Sequence, residues 1–212
     1  MGWLRPFWRP TPPGFGTEGP ETKAEAESDS PLIERSAPGI AALFEGLRED
    51  GSHAVLDLGP AAQSSFELYS RFARRIRFAD LLNAPLRGEA WTVALRSLQP
   101  YPEQLYDLVL AWNLFDRIRP AERLLFVERL AQITTSGARL YVVVDVSGEP
   151  TTIPLRFTLV GLDRVGQRPM GDPHPAFPQL LPAEVERLLR PFKVVHGFTL
   201  RHGYREYVAI RR

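Results

Sequence analysis

No cysteine occurs among the 212 residues of the chain. This absence excludes disulfide bonds, thiolate metal sites and a cysteine nucleophile. Lysine is almost as scarce, since it occurs only at Lys23 and Lys193, and nearly all positive charge is therefore arginine. We interpret this bias as codon usage rather than as arginine-specific recognition. The formal net charge is only +1, so the sequence predicts no nucleic-acid partner.

Long apolar runs are also missing. No stretch approaches the roughly 20 residues that a membrane-spanning helix needs. The first ten residues lack the continuous apolar core and the small-residue cleavage site of a secretory signal. We therefore expect a protein with no stable membrane insertion, located in the cytoplasm, and the lack of cysteine agrees with a reducing compartment.

The first thirty residues differ in composition from the rest. Proline and glycine are concentrated between residues 10 and 20, and the stretch from Glu18 to Asp29 is acidic and poor in apolar side chains. This composition opposes a packed core. The sequence predicts a disordered N-terminal tail over 1–30 and one folded domain over 31–212.

Within this tail, aromatic and basic residues alternate at Trp3, Arg5, Phe7, Trp8 and Arg9. One interpretation is a short docking peptide for a protein partner or a membrane surface. The other is a solvated tail whose aromatic side chains do nothing or pack loosely on the domain, as terminal segments commonly do.

Hydrophobic periodicity predicts alternating helices and strands after the tail. The predicted elements are a helix over 38–49, a strand over 53–58, a helix over 64–74 that buries Phe66, a strand ending at Asp80, a helical pattern over 83–105, a strand over 107–112, a helix from Pro120 that buries Leu124 and Leu125 and is closed by Gly137, and a strand over 139–146. No convincing strand precedes Tyr106, so the third strand of the sheet is doubtful. Such alternation is typical of an α/β fold with a Rossmann-like, doubly wound and mostly parallel sheet.

The C-terminal region follows a different pattern. A short helix over 184–190 precedes two strands, 192–200 and 204–211, with His202-Gly203 between them. So short a connection predicts an antiparallel hairpin that closes the parallel sheet.

The segment 148–178 is an insertion at the ligand side of the predicted sheet. Residues 154–160 and 162–165 have the pattern of a small hairpin or arm, and 169–178 have that of an irregular loop carrying Asp172 and His174. His174 is either a general base or, as is more usual for a histidine in a loop, a surface residue.

Ligands of an open parallel sheet bind at the carboxyl ends of its strands. Those ends carry Asp57-Leu-Gly59, Asp80 and Trp112-Asn113. The first turn reads Val-Leu-Asp-Leu-Gly-Pro-Ala-Ala-Gln over 55–63, and residues 106–113 and 134–141 read Tyr-Asp-Leu-Val-Leu-Ala-Trp-Asn and Thr-Thr-Ser-Gly-Ala-Arg-Leu-Tyr. Together with the terminal hairpin, these stretches resemble the class I S-adenosylmethionine-dependent methyltransferases in order and spacing, over about residues 40–212.

The resemblance implies S-adenosylmethionine as cofactor and methyl transfer to an unidentified small molecule or protein. It implies that Asp57 fixes the loop near the methionine amino group, that Gly59 lets the backbone approach the cofactor, and that Asp80 accepts hydrogen bonds from the ribose hydroxyls. The remaining implied cofactor residues are Ala61, in the glycine loop, and Trp112 and Asn113, after the fourth strand of the family. No catalytic residue and no metal ligand is assigned.

The chain departs from the pattern of that family at the glycine loop. The family has acid-x-Gly-x-Gly-x-Gly, whereas this chain has Asp57-x-Gly59-x-Ala61-x-Gln63. A positive φ at Ala61 would cost about 1–2 kcal/mol. A non-catalytic descendant that serves as a binding or scaffolding module for a partner protein therefore remains an alternative. In that reading Asp57 caps the turn and Trp112 packs in the core.

Other ligand motifs are missing. The sequence contains no Gly-x-Ser-x-Gly elbow, phosphate-binding loop or metal-ligand spacing, and no Gly-x-Gly-x-x-Gly follows the first strand. Hydrolase, nucleotidase and nicotinamide-dehydrogenase functions therefore have no support.

Overall fold

A computed structural model describes residues 31–81, 93–94, 96–98, 104–170 and 173–212. The predicted tail over 1–30 lies outside the described residues and stays a prediction. Most of the helical pattern over 83–105 lies outside them too, although residues 93–94 and 96–97 are helical.

Strands and helices alternate along the chain. The strands are β1 (Ile33–Ser36), β2 (His53–Asp57), β3 (Ala73–Phe78), β4 (Tyr106–Leu110), β5 (Thr134–Asp145), β6 (Thr151–Thr152), β7 (Leu155–Gly161), β8 (Arg164–Pro169), β9 (His174–Pro175), β10 (Phe192–Thr199) and β11 (Tyr204–Arg211). The helices are α1 (Pro38–Phe44), α2 (Gln63–Ser70), α3 (Leu114–Arg117), α4 (Pro120–Gln132) and α5 (Pro182–Leu188).

The main sheet has six strands in the order β10-β11-β5-β4-β2-β3. β3, β2, β4 and β5 pair in parallel, and β11 runs antiparallel to both β5 and β10. These pairings confirm the predicted mostly parallel sheet and its C-terminal hairpin. Among the described residues no strand lies between β3 and β4.

The central strands form because both faces of the sheet are covered. The stretches 54–56 in β2, 108–110 in β4 and 140–144 in β5 are apolar and buried. A strand that is buried on both faces has such a continuous apolar run, rather than alternation.

A second sheet, in the order β1-β8-β7, lies beside α2. The predicted hairpin of the insertion is confirmed as β7 and β8, whereas β1, which pairs with β8, was not predicted. The Leu159 amide in β7 donates a hydrogen bond of 3.0 Å to the Ser65 hydroxyl in α2. The predicted irregular loop over 169–178 is wrong at β9, which pairs with β6.

Three helix ends were predicted wrongly. α1 stops at Phe44, just before Gly46 at a φ of +69°, and α2 stops at Ser70 so that β3 can begin at Ala73. α4 ends at Gln132 rather than near Gly137, which lies inside β5 at a φ of +81°. The first two errors arose because apolar residues, Leu47 and Phe72, continue the helical spacing past the point where the backbone turns. The third arose because Gly137 was taken as the residue that closes α4.

The buried faces of two helices also differ from the prediction. Phe66 is 48% exposed, and Leu124 and Leu125 are 55% and 52% exposed. α4 instead buries Phe126 and Val127, together with Arg123, Leu130 and Ala131. Because α4 has apolar residues on more than one side, spacing alone did not determine which side faces the sheet.

The buried carboxylate of Glu206 links α1 to the sheet by a hydrogen bond. Glu206 in β11 is 1% exposed and accepts hydrogen bonds from the Gly39 amide at 2.7 Å and from the Tyr141 hydroxyl at 2.6 Å. Burial raises the pKa of Glu206. The two donors satisfy a polar group that would otherwise destabilise the core.

We expect Gly39→Ala to lower the free energy of unfolding by about 1–3 kcal/mol, because added atoms in a packed core force neighbours to shift. A Cβ at Gly39 would lie 2.9 Å from both the Glu206 Cβ and the Tyr141 Cε2. Urea unfolding measures the change. Gly161→Ala is the control, since its Cβ would meet nothing closer than 3.5 Å; equal effects of the two substitutions would contradict the close approach at Gly39.

Candidate functional site

The carboxylate of Asp57, at the end of β2, is the centre of the candidate site. Its Oδ1 accepts hydrogen bonds from the Gly59 amide at 2.7 Å and from the Trp112 indole Nε1 at 2.5 Å. Its Oδ2 accepts one from the Tyr69 hydroxyl at 2.7 Å. Asp57 is only 2% exposed, so the chain itself supplies the donors that a buried carboxylate requires.

Burial dominates the electrostatics of this carboxyl. It raises the pKa of Asp57 from 3.8 to about 6, although the three hydrogen bonds act in the opposite direction. The negative charge of Asp80 raises it further by a smaller amount. Protonation near pH 6 would therefore change the hydrogen bonding at the core of the site.

Trp112 is held in an unusual conformation just after β4. Its φ is +50°, in the left-handed region that a bulky residue seldom adopts. Its ring stacks on Phe157 of β7, with centroids 5.4 Å apart and planes 6° apart, and meets Tyr141 of β5 edge-on at 5.7 Å. Its carbonyl accepts a hydrogen bond of 2.8 Å from the Val143 amide. Surrounding structure thus compensates the strain at this residue.

Gly59 lies directly against the indole. A Cβ on Gly59 would lie 3.0 Å from the Trp112 Nε1 and 3.1 Å from the Asp57 Oδ1. A side chain at position 59 would thus be crowded by a neighbour, and the neighbouring group is a side chain of the same protein.

Asp80 follows β3 at the same edge of the sheet as Asp57. It is exposed, its φ is +47°, and its amide donates a hydrogen bond of 3.1 Å to the Gly59 carbonyl. Burial lowers the pKa of Arg117 in α3, and the negative charge of Asp80 partly opposes this shift. The structure thus brings both predicted acids together, with a basic side chain near the exposed one.

The other two predicted site residues lie on either side of this centre. Ala61 is exposed and its φ is not positive; among the described non-glycine residues only Asp80 and Trp112 have a positive φ. The strain anticipated at Ala61 is therefore absent. Asn113 is 5% exposed, and its Oδ1 has no hydrogen-bond partner among the residues that the structure describes.

Sequence reasoning missed an acidic cleft of about 360 Å³ beyond the end of β5, lined by Asp116, Asp145, Glu149 and Phe177 among others. The Asp116 Oδ2 accepts a hydrogen bond of 2.9 Å from the Asp145 amide, and burial raises the pKa of Asp116 to about 8. Its position three residues after Asn113 was the signal available in the sequence. The side chain of His174 is outside what the structure describes, so its role stays a prediction.

Solved structures share this arrangement of strands. One is the 1,6-didemethyltoxoflavin-N1-methyltransferase of Burkholderia thailandensis, bound to 1,6-didemethyltoxoflavin and S-adenosylhomocysteine, which is 16% identical over 82% of this chain and 76% of its own, with a TM-score of 0.50. Another is an S-adenosylmethionine-dependent methyltransferase from Mesorhizobium loti, 11% identical over 82% of this chain and 96% of its own, also with a TM-score of 0.50.

The fold is that of the S-adenosylmethionine-dependent methyltransferases. At such low identity the likeness concerns the fold alone. Neither a protein-family model nor a curated protein matches the sequence.

The described residues lack two further features. No helix in that part of the chain is long and apolar enough to cross a membrane. No group of three or more histidine, aspartate or glutamate side chains there could hold a metal ion.

The resemblance to the family implies that the methionine amino group lies near Asp57 and that the cofactor passes close to Gly59. In the described conformation the Trp112 indole donates to Asp57 and lies against Gly59, so it covers one side of both residues. A ligand amino group could reach Asp57 from that side only if Trp112 moved.

We expect the stability of the protein to fall as the pH rises from about 4 to about 6. The folded chain keeps the Asp57 proton up to a pKa of about 6, whereas the unfolded chain releases it near 3.8. The unfolded state therefore binds fewer protons at Asp57 in this window. Asp57 accounts for a loss of about 2 kcal/mol between pH 4 and 6, out of about 3 kcal/mol over its whole titration.

Asp57→Asn should make this part of the pH profile shallower, as measured by urea unfolding. Part of the slope should remain, because burial also raises the pKa of Asp116, to about 8, and that of Glu206. The amide keeps an oxygen that can accept from Trp112 and Gly59 but does not titrate. Asp163→Asn, at an exposed acid between β7 and β8, should keep the slope of the wild type. Parallel profiles for Asp57→Asn and the wild type would show that Asp57 does not cause the slope.

Proposed function

We propose that this chain is a non-catalytic protein with a methyltransferase fold, which acts as a binding or scaffolding module for a protein partner. The observation that carries the proposal is the Trp112 indole, which donates a hydrogen bond of 2.5 Å to Asp57, the acid that the resemblance places beside the methionine amino group of the cofactor.

The contacts of Asp57 support this function. All three donors to its carboxylate come from the protein, from Gly59, Tyr69 and Trp112. A ligand amine would have to compete with an indole N–H that is already desolvated and in place. The chain therefore needs no ligand to satisfy the buried charge.

The energy needed to move Trp112 also supports it. A hydrogen bond to a charged group contributes about 1.5–3 kcal/mol, and each aromatic contact contributes about 0.5–1.5 kcal/mol. Release of the backbone strain at Trp112 returns about 1–2 kcal/mol. The net cost of opening is roughly 0.5–5 kcal/mol, and the midpoint of about 3 kcal/mol would weaken a ligand about 100-fold.

A second function is methyl transfer from S-adenosylmethionine to a small molecule or protein. It is favoured by the grouping of Asp57, Gly59 and Asp80 at one edge of the sheet, which agrees with the family pattern, and by the bound S-adenosylhomocysteine of the Burkholderia thailandensis structure. It requires Trp112 to leave its place between Asp57 and Phe157. The two functions thus differ in one measurable property, the affinity for the cofactor.

We expect isothermal titration of the wild-type protein with S-adenosylmethionine and S-adenosylhomocysteine to give no binding in the micromolar range, because Trp112 blocks the approach to Asp57. Asp80→Asn and, as the matched control, Asp163→Asn should behave in the same way. Micromolar binding that Asp80→Asn weakens and Asp163→Asn does not would contradict the non-catalytic proposal and establish the second function.

Trp112→Ala should gain affinity for S-adenosylhomocysteine relative to the wild type, because it clears the space beside Gly59 and frees Asp57. Truncation of a buried aromatic residue costs about 3–5 kcal/mol, so circular dichroism must first show that the variant is folded. Phe126→Ala, at a fully buried aromatic of α4, controls for loosening of the core. A folded Trp112→Ala protein without a gain over Phe126→Ala would show that Trp112 is not the block.

A further inference from the structure

A groove of about 570 Å³ lies between α4 and α5, on residues that the candidate site does not use. Its apolar lining consists of Pro120, Leu124, Leu180, Leu188 and Pro191. Leu124 is 55% exposed there, and Leu181 at the start of α5 is 59% exposed. Clustered apolar side chains beside a groove are typical of a surface that another segment covers.

Charged side chains of both signs line this groove: Arg123, Glu128, Glu184, Arg187 and Arg190. The Arg187 side chain is 68% exposed, and its guanidinium lies 3.9 Å from the Glu184 carboxylate, which is too long for a strong ion pair. Exposed guanidinium groups beside an apolar surface stack well on aromatic rings, tryptophan above all.

We propose that residues 3–9 of the same chain dock in this groove. They supply the matching chemistry, since Trp3, Phe7 and Trp8 offer apolar rings and Arg5 and Arg9 offer positive charge. On this proposal the leucines and arginines of the groove receive the aromatic rings, and Glu128 is the acid that receives a tail arginine, because the Glu184 carboxylate already accepts a hydrogen bond from the Leu181 amide.

The length of chain before β1 allows this docking. A segment of about 20 residues spans up to about 70 Å when extended and about 25 Å as a random coil. A domain of about 180 residues is roughly 40 Å across, so the segment can reach any of its faces. Tethering gives it a millimolar effective concentration, and even a weak contact is therefore occupied.

The chain contains no cysteine, so in a cross-linking test every disulfide must form between introduced cysteines. Thr11→Cys places a thiol just after the aromatic residues, and Ala183→Cys places one on an exposed position of α5 beside the groove. The full-length double variant, at low concentration under mild oxidation, should form an intrachain disulfide at least about tenfold faster than the reference pair Thr11→Cys with Ser64→Cys.

The reference position, Ser64, was chosen so that a tail that does not dock would react there at least as fast as at Ala183. Ser64 is exposed in α2, and α2 contacts β7, whose sheet contains β1 at the start of the described chain. A tail that contacts nothing should reach Ser64 no more slowly than Ala183. Equal rates for the two pairs would therefore overturn the proposal.

Leu124→Asp in the groove should reduce the fast rate to that of the reference pair. Leu125→Asp should leave it unchanged, because Leu125 is 52% exposed on the same helix but does not line the groove. Loss of the fast rate in both variants, or disulfides formed mainly between two chains, would overturn docking within one chain.

Discussion

The hydrogen bond from the Trp112 indole to the Asp57 carboxylate joins the ends of two neighbouring strands, β2 and β4. A buried carboxylate without donors would destabilise the core by several kcal/mol, and this need fixes the residues around it. The backbone of Gly59 lies close against the indole. Trp112 has a φ of +50° and donates through Nε1 to Asp57, and Phe157 of the insertion stacks on its ring.

The same ring connects the candidate site with the opposite part of the fold. Trp112 meets Tyr141 edge-on, and the Tyr141 hydroxyl donates to Glu206, which also accepts the Gly39 amide of α1. Two buried carboxylates and the aromatic rings between them thus link α2, the central strands and α1. Such a network is rigid when every polar member is satisfied, which opposes the movement that opening of the site requires.

The sequence predicted the features that depend on local pattern. The apolar runs of β2, β4 and β5, the hairpin of β10 and β11 and the placement of Asp57 and Asp80 at strand ends follow from composition and spacing. The buried side of α4, the pairing of β1 with β8 and the cleft at Asp116 depend on distant segments and could not be predicted in this way. The direction of the Trp112 ring could not be predicted either, because the ring stacks on Phe157, which lies 45 positions later in the chain.

A motif of the type Asp-x-Gly at the end of a strand indicates a buried acid beside a closely approached backbone, and does not by itself indicate a ligand. The acid needs donors at its buried oxygens and the glycine needs a neighbour that approaches within contact distance. The resemblance implies that a cofactor amino group lies near this acid, and in this chain an indole N–H donates to it. Both needs persist after the ligand is lost if an internal side chain takes its place. Whether the side chain of Trp112, just after β4, donates to Asp57 therefore says more about the use of this loop than the Asp-x-Gly motif itself.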